Sequence, residues 1–367
     1  MSTVLEQSTE HQARAREALS AALAGEPSHA YLFRGPRGAG KRAAARAFAA
    51  EILATGADDP DDARRRALLD PSPHPDLVWL TPRGAQHLVE EVRERVIRAA
   101  VYRPFEGAKR VFVIEAAEAL RDESQNALLK TLEEPPPYAH ILLLTSEPEI
   151  LLETIASRCQ PVDFAPLSAE VLEAELAAES AAPAELAAAA RLGAGDLERA
   201  RLLLGPRGHE VREDVERCAA AAVSGEVASA PWKGLLDRAQ AAGEDVEAAT
   251  REVLEEESKA GLKRTVRDIA DESKRAGRRR RTEILDLGLE LCAAWFRDLA
   301  AIAAGADDVV FNRDRLDQLR SQSSGLDPAT ARRAVERVQE TRRGLDLNVS
   351  EELALEALFF RLERLLA

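Results

Sequence analysis

The sequence has few of the residues that build disulfide frameworks, metal centres or aromatic recognition surfaces. Only three cysteines occur among 367 residues, and Cys159, Cys218 and Cys292 lie far apart, with no CxxC or Cys/His cluster. This spacing argues against a disulfide framework and predicts no metal site. Aromatic residues make up 4% of the chain, and no aromatic and basic pattern typical of single-strand nucleic-acid binding is visible.

Long apolar runs are also missing. No stretch approaches the length of a membrane-spanning helix, and residues 1–10 are polar, so neither a membrane span nor a signal peptide is expected. Together with the scattered cysteines, this predicts a protein of the reducing cytoplasm.

Alanine, leucine and charge are what the chain has in abundance. Hydrophobic residues make up 46%, charged residues 31%, and the formal net charge is −14. Alanine and leucine favour helices, and the acidic balance argues against general binding to polyanions. The length predicts two or three domains rather than one.

The first 165 residues alternate short apolar runs with amphipathic stretches, which is typical of a parallel sheet wrapped by helices. Strands are predicted at 31–33, 77–80, 110–114, 141–145 and 160–164. Helices are predicted at 10–24, 42–55, 86–102, 123–133 and 148–156. Residues 56–75 lack apolar periodicity, which indicates an exposed loop or a short helix. No strand signal follows residue 166, and helices are expected there, with breaks near Gly225, Gly243, Gly305 and Gly325.

A glycine-rich loop between the first strand and the next helix has the form of a phosphate-binding loop. Gly35, Gly38 and Gly40 would let backbone N–H groups turn towards phosphates, and Lys41 would reach the terminal ones. The next position should carry a hydroxyl that holds Mg²⁺, but it is Arg42, which cannot ligate a cation. The loop therefore predicts a nucleotide site that is poor at hydrolysis.

The second half of such a site should be a buried strand that ends in carboxylates. Glu115 follows the strand at 110–114 in the metal-orienting position, but the adjacent water-activating position holds Ala116. Thr145 and Ser146 follow the next strand and could reach a γ-phosphate, although a hydroxyl-capped turn explains them equally well. Arg158, taken alone, is more typical of an arginine that interacts with a helix dipole.

Several segments together resemble one family, the delta-prime subunits of bacterial clamp loaders. The resemblance covers about residues 8–164 and is weaker at the last helix, 348–362. The segments that carry it are His29–Phe33, Gly35–Arg42, His74–Leu77, Arg103–Gly107, Ser124–Pro136 and Ser157–Cys159.

This resemblance implies an AAA+ subunit with three domains: an α/β domain with a degenerate phosphate loop (1–165), a helical lid (166–208) and a helical collar that oligomerises (209–367). In this family the subunit completes a ring with motor (gamma/tau) subunits and a delta subunit. The ring loads the sliding clamp on primed DNA, so clamp and primer-template DNA are implied as partners through the complex.

The resemblance also implies roles for single residues. Arg158, between Ser157 and Cys159, would be an arginine finger offered in trans to a neighbouring motor. The lid position that contacts the γ-phosphate in motors is held by Glu198, with Arg199 one residue later. These features predict no intrinsic ATPase and no required cofactor, with weak ATP or ADP binding at most; the alternative is an ATP-hydrolysing motor subunit.

Two further expectations concern zinc and DNA. Many family members carry four zinc-binding cysteines near residues 56–70, and this chain has none there, so no zinc is expected. The basic segment 263–281 is interpreted as a solvated helix face, with a contact to DNA phosphates as the less favoured alternative.

Overall fold

A computed structural model describes residues 4–82, 86–179, 181–259, 265–345 and 350–366. The chain forms two compact units, one ending at Ser168 and the other beginning at Ala169. The first is a parallel sheet with helices on both faces, and the second is helical throughout its described residues. The predicted fold class, an AAA+ type α/β domain followed by an all-α part, is thereby confirmed.

The sheet of the first unit has five strands, all parallel, in the order β2-β3-β4-β1-β5. Every residue of β3 and β4 is buried, as their unbroken apolar sequence predicts for strands covered on both faces. All five predicted strands are confirmed within two residues at each end. Their bounds are β1 Ala30–Arg34, β2 Leu77–Leu80, β3 Arg110–Ile114, β4 Ala139–Thr145 and β5 Gln160–Asp163.

Alternate strand residues face two separate apolar clusters. Phe33 of β1 packs with Phe48 of the following helix on one face. On the other face, Phe112 of β3 packs into a cluster with Val96 and Leu128. Because the sheet is buried on both sides, only the ends of its strands are open to ligands, and the phosphate loop lies at one such end.

Seven α-helices accompany this sheet within the described residues, and one prediction about them needs correction. Their bounds are α1 Val4–Ser8, α2 Ala13–Ala24, α3 Lys41–Ala54, α4 Pro60–Leu68, α5 Val89–Val92, α6 Asp122–Glu133 and α7 Glu153–Ala156. The helix predicted at 86–102 is present from Val89 and contains a π-helical stretch over Arg93–Arg98. The helix predicted at 148–156 is broken, since the Leu152 N–H donates to the Gln125 side chain rather than within a helix.

The segment at 56–75 contains a helix, which settles one of the two alternatives. The Asp59 carboxylate accepts a hydrogen bond from the Asp62 N–H, and Pro60 occupies the first turn of α4. This is a normal helix start, because the cap satisfies one free N–H and proline needs none. The chain then reaches Asp70, which becomes important at the phosphate loop.

The second unit contains nine α-helices within the described residues. Their bounds are α8 Ala169–Leu176, α9 Pro183–Leu192, α10 Leu197–Leu204, α11 Pro206–Ser224, α12 Lys233–Lys259, α13 Val266–Ala303, α14 Leu316–Ser323, α15 Pro328–Leu345 and α16 Glu351–Leu366. None of the helices in the described ranges is long and apolar enough to cross a membrane. The division of this unit into a lid and a collar stays a prediction.

The glycines of this unit have two roles, because some form turns between helices and one permits close helix packing. Gly225, Gly305 and Gly325 have positive φ between helices, so the breaks predicted there are confirmed. The break predicted at Gly243 is wrong, because α12 runs through it. A Cβ on Gly243 would lie 2.8 Å from the carbonyl oxygen of Gly277 on α13, so this glycine permits a close approach of two helices.

Candidate functional site

The phosphate loop joins the end of β1 to the start of α3 and has the backbone that its glycines predict. Gly38 and Gly40 have φ of 67° and 88°, values that favour glycine. Gly35 packs so closely that a Cβ would lie 2.2 Å from the carbonyl oxygen of Phe164. The sequence predicted this loop correctly in position and in conformation.

The Lys41 side chain is turned onto the loop itself. Its Nζ donates hydrogen bonds to the carbonyl oxygens of Gly35 at 2.5 Å and Pro36 at 2.6 Å. A phosphate bound here would compete with these carbonyls for the ammonium group. The lysine that the motif requires is therefore present, and it is already partly occupied.

Arg42 lies between two carboxylates. Its Nη2 donates to Oδ2 of Asp70 at 2.8 Å, and its Nη1 is 3.7 Å from Oε1 of Glu115. Glu115 directly follows β3, at the position that would orient a metal ion. A guanidinium group thus faces the carboxylate where Mg²⁺ would be expected.

The other groups around Arg42 complete a closed set of ion pairs. Arg46, one helical turn later, lies 3.0 Å from Asp70 through its Nη2, and burial lowers its pKa. The guanidinium carbons of Arg42 and Arg46 lie 5.7 and 4.4 Å from the Trp79 ring centre. We call Arg42, Arg46, Asp70, Trp79 and Glu115 the Arg42 cluster; its two arginines and two carboxylates cancel in formal charge.

The remaining oxygen of Glu115 is also used. Glu115 Oε2 accepts hydrogen bonds from Trp79 Nε1 at 3.0 Å and from Thr81 Oγ1 at 3.3 Å. Magnesium needs free oxygen ligands in near-octahedral geometry. The residues present do not fit this ion, because a fixed positive charge and two donors already face its expected carboxylate.

The neighbouring positions carry no second acid for water activation. Ala116 has a left-handed backbone with φ of 50°, and its methyl group cannot accept a proton. The Ser146 hydroxyl donates to Glu118 Oε1 at 2.6 Å, while Thr145 is buried and its Oγ1 accepts the Glu147 N–H at 3.1 Å. The Thr145 hydroxyl thus caps the turn after β4, as the turn-cap alternative predicts, whereas the Ser146 hydroxyl bonds to the segment that follows β3.

Arg158 lies just after α7 with its guanidinium held at two points. Nη1 donates to the Thr154 carbonyl oxygen at 2.8 Å, and Nη2 donates to Glu133 Oε1 at 2.6 Å. The Ser157 hydroxyl donates to the same Thr154 oxygen at 3.3 Å. Cys159 faces the core, where burial raises the pKa of its thiol to about 12. Of these three neighbours, only Arg158 presents charge at the surface.

The lid position of the second unit carries an acid at the surface and an arginine engaged elsewhere. Glu198 is exposed, and Arg199 pairs with Glu290 of α13. Burial lowers the pKa of Arg199. Within its own unit, Arg199 is thus already paired with a carboxylate.

Part of the basic segment is a solvated face of α13. Lys274, Arg275 and Arg278 are exposed and make no side-chain hydrogen bond or ion pair within the described ranges. Arg281 instead pairs with Glu351 at 2.5 Å. Residues 263 and 264 lie outside the described residues.

Zinc content is a direct test of the metal prediction. In the part of the chain that the structure describes, no group of three or more His, Cys, Asp or Glu side chains could hold a metal ion. Protein purified without chelator is expected to contain well below one zinc per chain by elemental analysis, because residues 56–70 contain no cysteine. Stoichiometric zinc that survives dialysis would contradict this prediction.

Comparison with known proteins finds a family model that matches most of the first unit. A family model described as "DNA polymerase III, delta subunit" matches residues 11–168. DNA polymerase III subunit delta' of Bacillus subtilis is 33% identical over 161 residues, which cover 42% of this chain and 48% of that protein. The Escherichia coli subunit delta' is 35% identical over 219 residues, which cover 58% of this chain and 64% of that protein.

Subunit tau is also similar. The Bacillus subtilis protein is 37% identical over 150 residues, which cover 40% of this chain and 26% of that protein. The alignments with these three relatives leave out a third or more of each relative's length. The family model covers the phosphate loop and the sheet whose geometry is described above. This chain is therefore similar to DNA polymerase III subunits, among them the delta' subunits, and residues 11–168 match the family model.

Proposed function

We propose that this chain is a delta-prime subunit that completes the clamp-loader ring, hydrolyses no ATP itself and offers Arg158 to a neighbouring motor subunit. The observation that carries the proposal is the position of Arg42, 3.7 Å from the Glu115 carboxylate. A cation fixed at that place disfavours the metal ion on which ATP hydrolysis depends.

Two independent features oppose catalysis within the chain. Arg42 replaces a metal-binding hydroxyl, and Ala116 replaces an acid that would activate water. Phosphoryl transfer relies on a positioned metal and a positioned nucleophile, so either loss alone slows it greatly. Reversing one of them is not expected to restore turnover.

Nucleotide binding is proposed to be weak and not required for the function. The glycines and Lys41 keep the shape of the loop, so ADP or ATP can make some of the usual contacts. The Lys41 ammonium must then leave the Gly35 and Pro36 carbonyls. The charges of the Arg42 cluster are paired with one another, so the cluster needs no metal-bound nucleotide to neutralise it.

Arg158 is the group through which the chain would act on its neighbour. Its side chain is 34% exposed, and the residue lies just after the short helix α7 rather than in the chain's own phosphate loop. An arginine finger offered in trans stabilises transition-state charge and raises NTPase rates by about 10³ to 10⁵. The catalytic metal and water would belong to the neighbouring motor site.

A second candidate function is that of an ATP-hydrolysing motor subunit. The 37% identity with tau over 150 residues favours it, as do the glycines and Lys41. Arg42, Ala116 and Glu198 oppose it. The two candidates make opposite predictions for the isolated chain, which is inert in the first and an ATPase in the second.

Assembly is the experiment that tests the role in a ring. The chain is mixed with gamma/tau and delta subunits of the same organism and analysed by size-exclusion chromatography with mass determination. One complex that contains all three kinds of subunit is expected, with the clamp and primer-template DNA bound through that complex. Separate elution of this chain would contradict the proposal.

Truncation tests the part assigned to the helical unit. A chain that ends at Ser168 keeps the whole first unit, so we expect it to retain its circular dichroism spectrum for a mixed α/β domain. We expect it to fail to enter the complex, because oligomerisation is assigned to residues 209–367. Entry of the truncated chain at full stoichiometry would show that the first unit is sufficient for assembly.

A further inference from the structure

We propose that Glu133 is a positioning residue for the arginine finger. This inference rests on the proposed role of Arg158 in trans. Glu133 Oε1 accepts a hydrogen bond from Arg158 Nη2 at 2.6 Å, and the two side chains are 49% and 34% exposed. The pair joins the end of α6 to the segment just after α7, and the two residues are 25 positions apart in sequence.

The two contacts fix the plane of the guanidinium and leave some of its N–H donors available. A guanidinium has five N–H donors in a rigid fork. Arg158 uses one Nη1 donor on the Thr154 carbonyl and one Nη2 donor on Glu133. The Nε–H group and one N–H on each terminal nitrogen are not used by these two bonds. A fork held in this way can present its remaining donors to a phosphate without first losing side-chain freedom.

The location of Glu133 on its helix supports a specific role for the acid. Glu133 is the last residue of α6, where the partial negative charge of the helix end disfavours a carboxylate. The Arg158 guanidinium offsets this unfavourable interaction. Lys130, in the same last turn, carries the charge that helix stability favours. The acid is therefore explained better by its partner than by the helix.

We expect that Glu133 raises the rate of the neighbouring motor by orienting Arg158 more than it lowers that rate by partly neutralising the guanidinium charge. The pair lies at the surface, where water screens the attraction between the two charges. The position of a catalytic group matters more, because a displacement of about 1 Å can lower a rate by about 10²-fold. Glu133 therefore assists the finger by holding it, and removal of its carboxyl group should slow the neighbouring motor.

Reconstituted rings test this inference through the motor ATPase. Glu133→Ala removes both the charge and the acceptor, whereas Glu133→Gln keeps an acceptor oxygen. The matched control is Glu134→Ala, since the exposed side chain of Glu134 makes no hydrogen bond or ion pair within the described residues. We expect Glu133→Ala to lower kcat about two- to fivefold at the one motor site that this subunit faces, at unchanged KM, which is the scale of a surface ion pair. The glutamine variant should retain most activity, and the control should equal the parent.

The double variant Glu133→Ala/Arg158→Ala isolates the route by which Glu133 acts. If Glu133 acts only through Arg158, the double variant hydrolyses ATP at the rate of Arg158→Ala alone. A further loss in the double variant would overturn the inference, as would a higher rate in Glu133→Ala rings, which would mean that Glu133 restrains the finger. An unchanged rate in Glu133→Ala rings would overturn it too. If Arg158→Ala itself has no effect, the trans role fails first, and that result is distinguishable from the others.

Discussion

Rings that contain Arg158→Ala should hydrolyse ATP at least about 10³-fold more slowly at the one motor site that this subunit faces. The guanidinium supplies positive charge and a planar donor fork when charge develops on the transferred phosphoryl group. Alanine supplies neither, and water in its place gives a weaker field. Total turnover of the ring should fall by the share of that one site if the motor sites act independently, and by more if they are coupled.

Two control variants separate the finger from general effects of charge. Arg158→Lys keeps the charge but loses the fork, so we expect an intermediate rate. Arg65→Ala removes another surface arginine, which is 68% exposed and pairs with the carboxylate of Asp62. This variant should leave the rate unchanged. Normal assembly of each variant is checked by size-exclusion chromatography. Equal turnover of Arg158→Ala and parental rings would remove the trans role.

The isolated chain should show no magnesium-dependent ATP hydrolysis above background. Arg42 and Ala116 each remove a group on which hydrolysis depends, and the first also places a fixed cation beside Glu115. A coupled assay over a range of enzyme concentrations measures this directly. Hydrolysis that scales with the amount of chain and is lost in Lys41→Ala would favour the motor candidate.

Restoration of the missing hydroxyl tests why the chain is inert. In Arg42→Thr the guanidinium leaves Asp70 and Glu115 and a metal ligand takes its place. We expect magnesium-ATP to bind about tenfold more tightly, because one like charge about 4 Å from the metal position is removed and water screens part of that repulsion. Titration calorimetry with and without magnesium measures the change. Turnover should stay at background, since Ala116 is unchanged, and recovered turnover would mean that Arg42 alone silences the site.

The positions of the strands along the chain could be predicted because each strand is a short, continuous apolar run between helices. Where prediction failed, distant contacts decided the backbone. The helix expected at 148–156 is broken because Gln125, on another helix, accepts the Leu152 N–H. Gly243 suggested a break but instead permits contact with α13 at Gly277. Neither partner can be identified from local sequence.

The residues of the candidate site likewise divide into those that the sequence predicted and those that it did not. The loop glycines, Lys41, Arg42 and Glu115 were identified from motif spacing, and the structure brings Arg42 and Glu115 together. Asp70, Arg46 and Trp79 were missed, as was Glu133. Arg46 follows Arg42 by four residues and so lies on the same helix face, which was an available signal. Asp70 and Glu133 gave none, because ion pairs between separate elements depend on packing that no local pattern encodes.

One comparison in reconstituted rings tests most directly whether this subunit donates a catalytic group to a neighbouring motor and has no catalytic nucleotide site of its own. Steady-state ATP hydrolysis is measured for rings that differ only in this chain, with Lys41→Ala in one and Arg158→Ala in the other. The account predicts full activity with Lys41→Ala and a strong loss with Arg158→Ala. The opposite pattern, a loss with Lys41→Ala and full activity with Arg158→Ala, would contradict it.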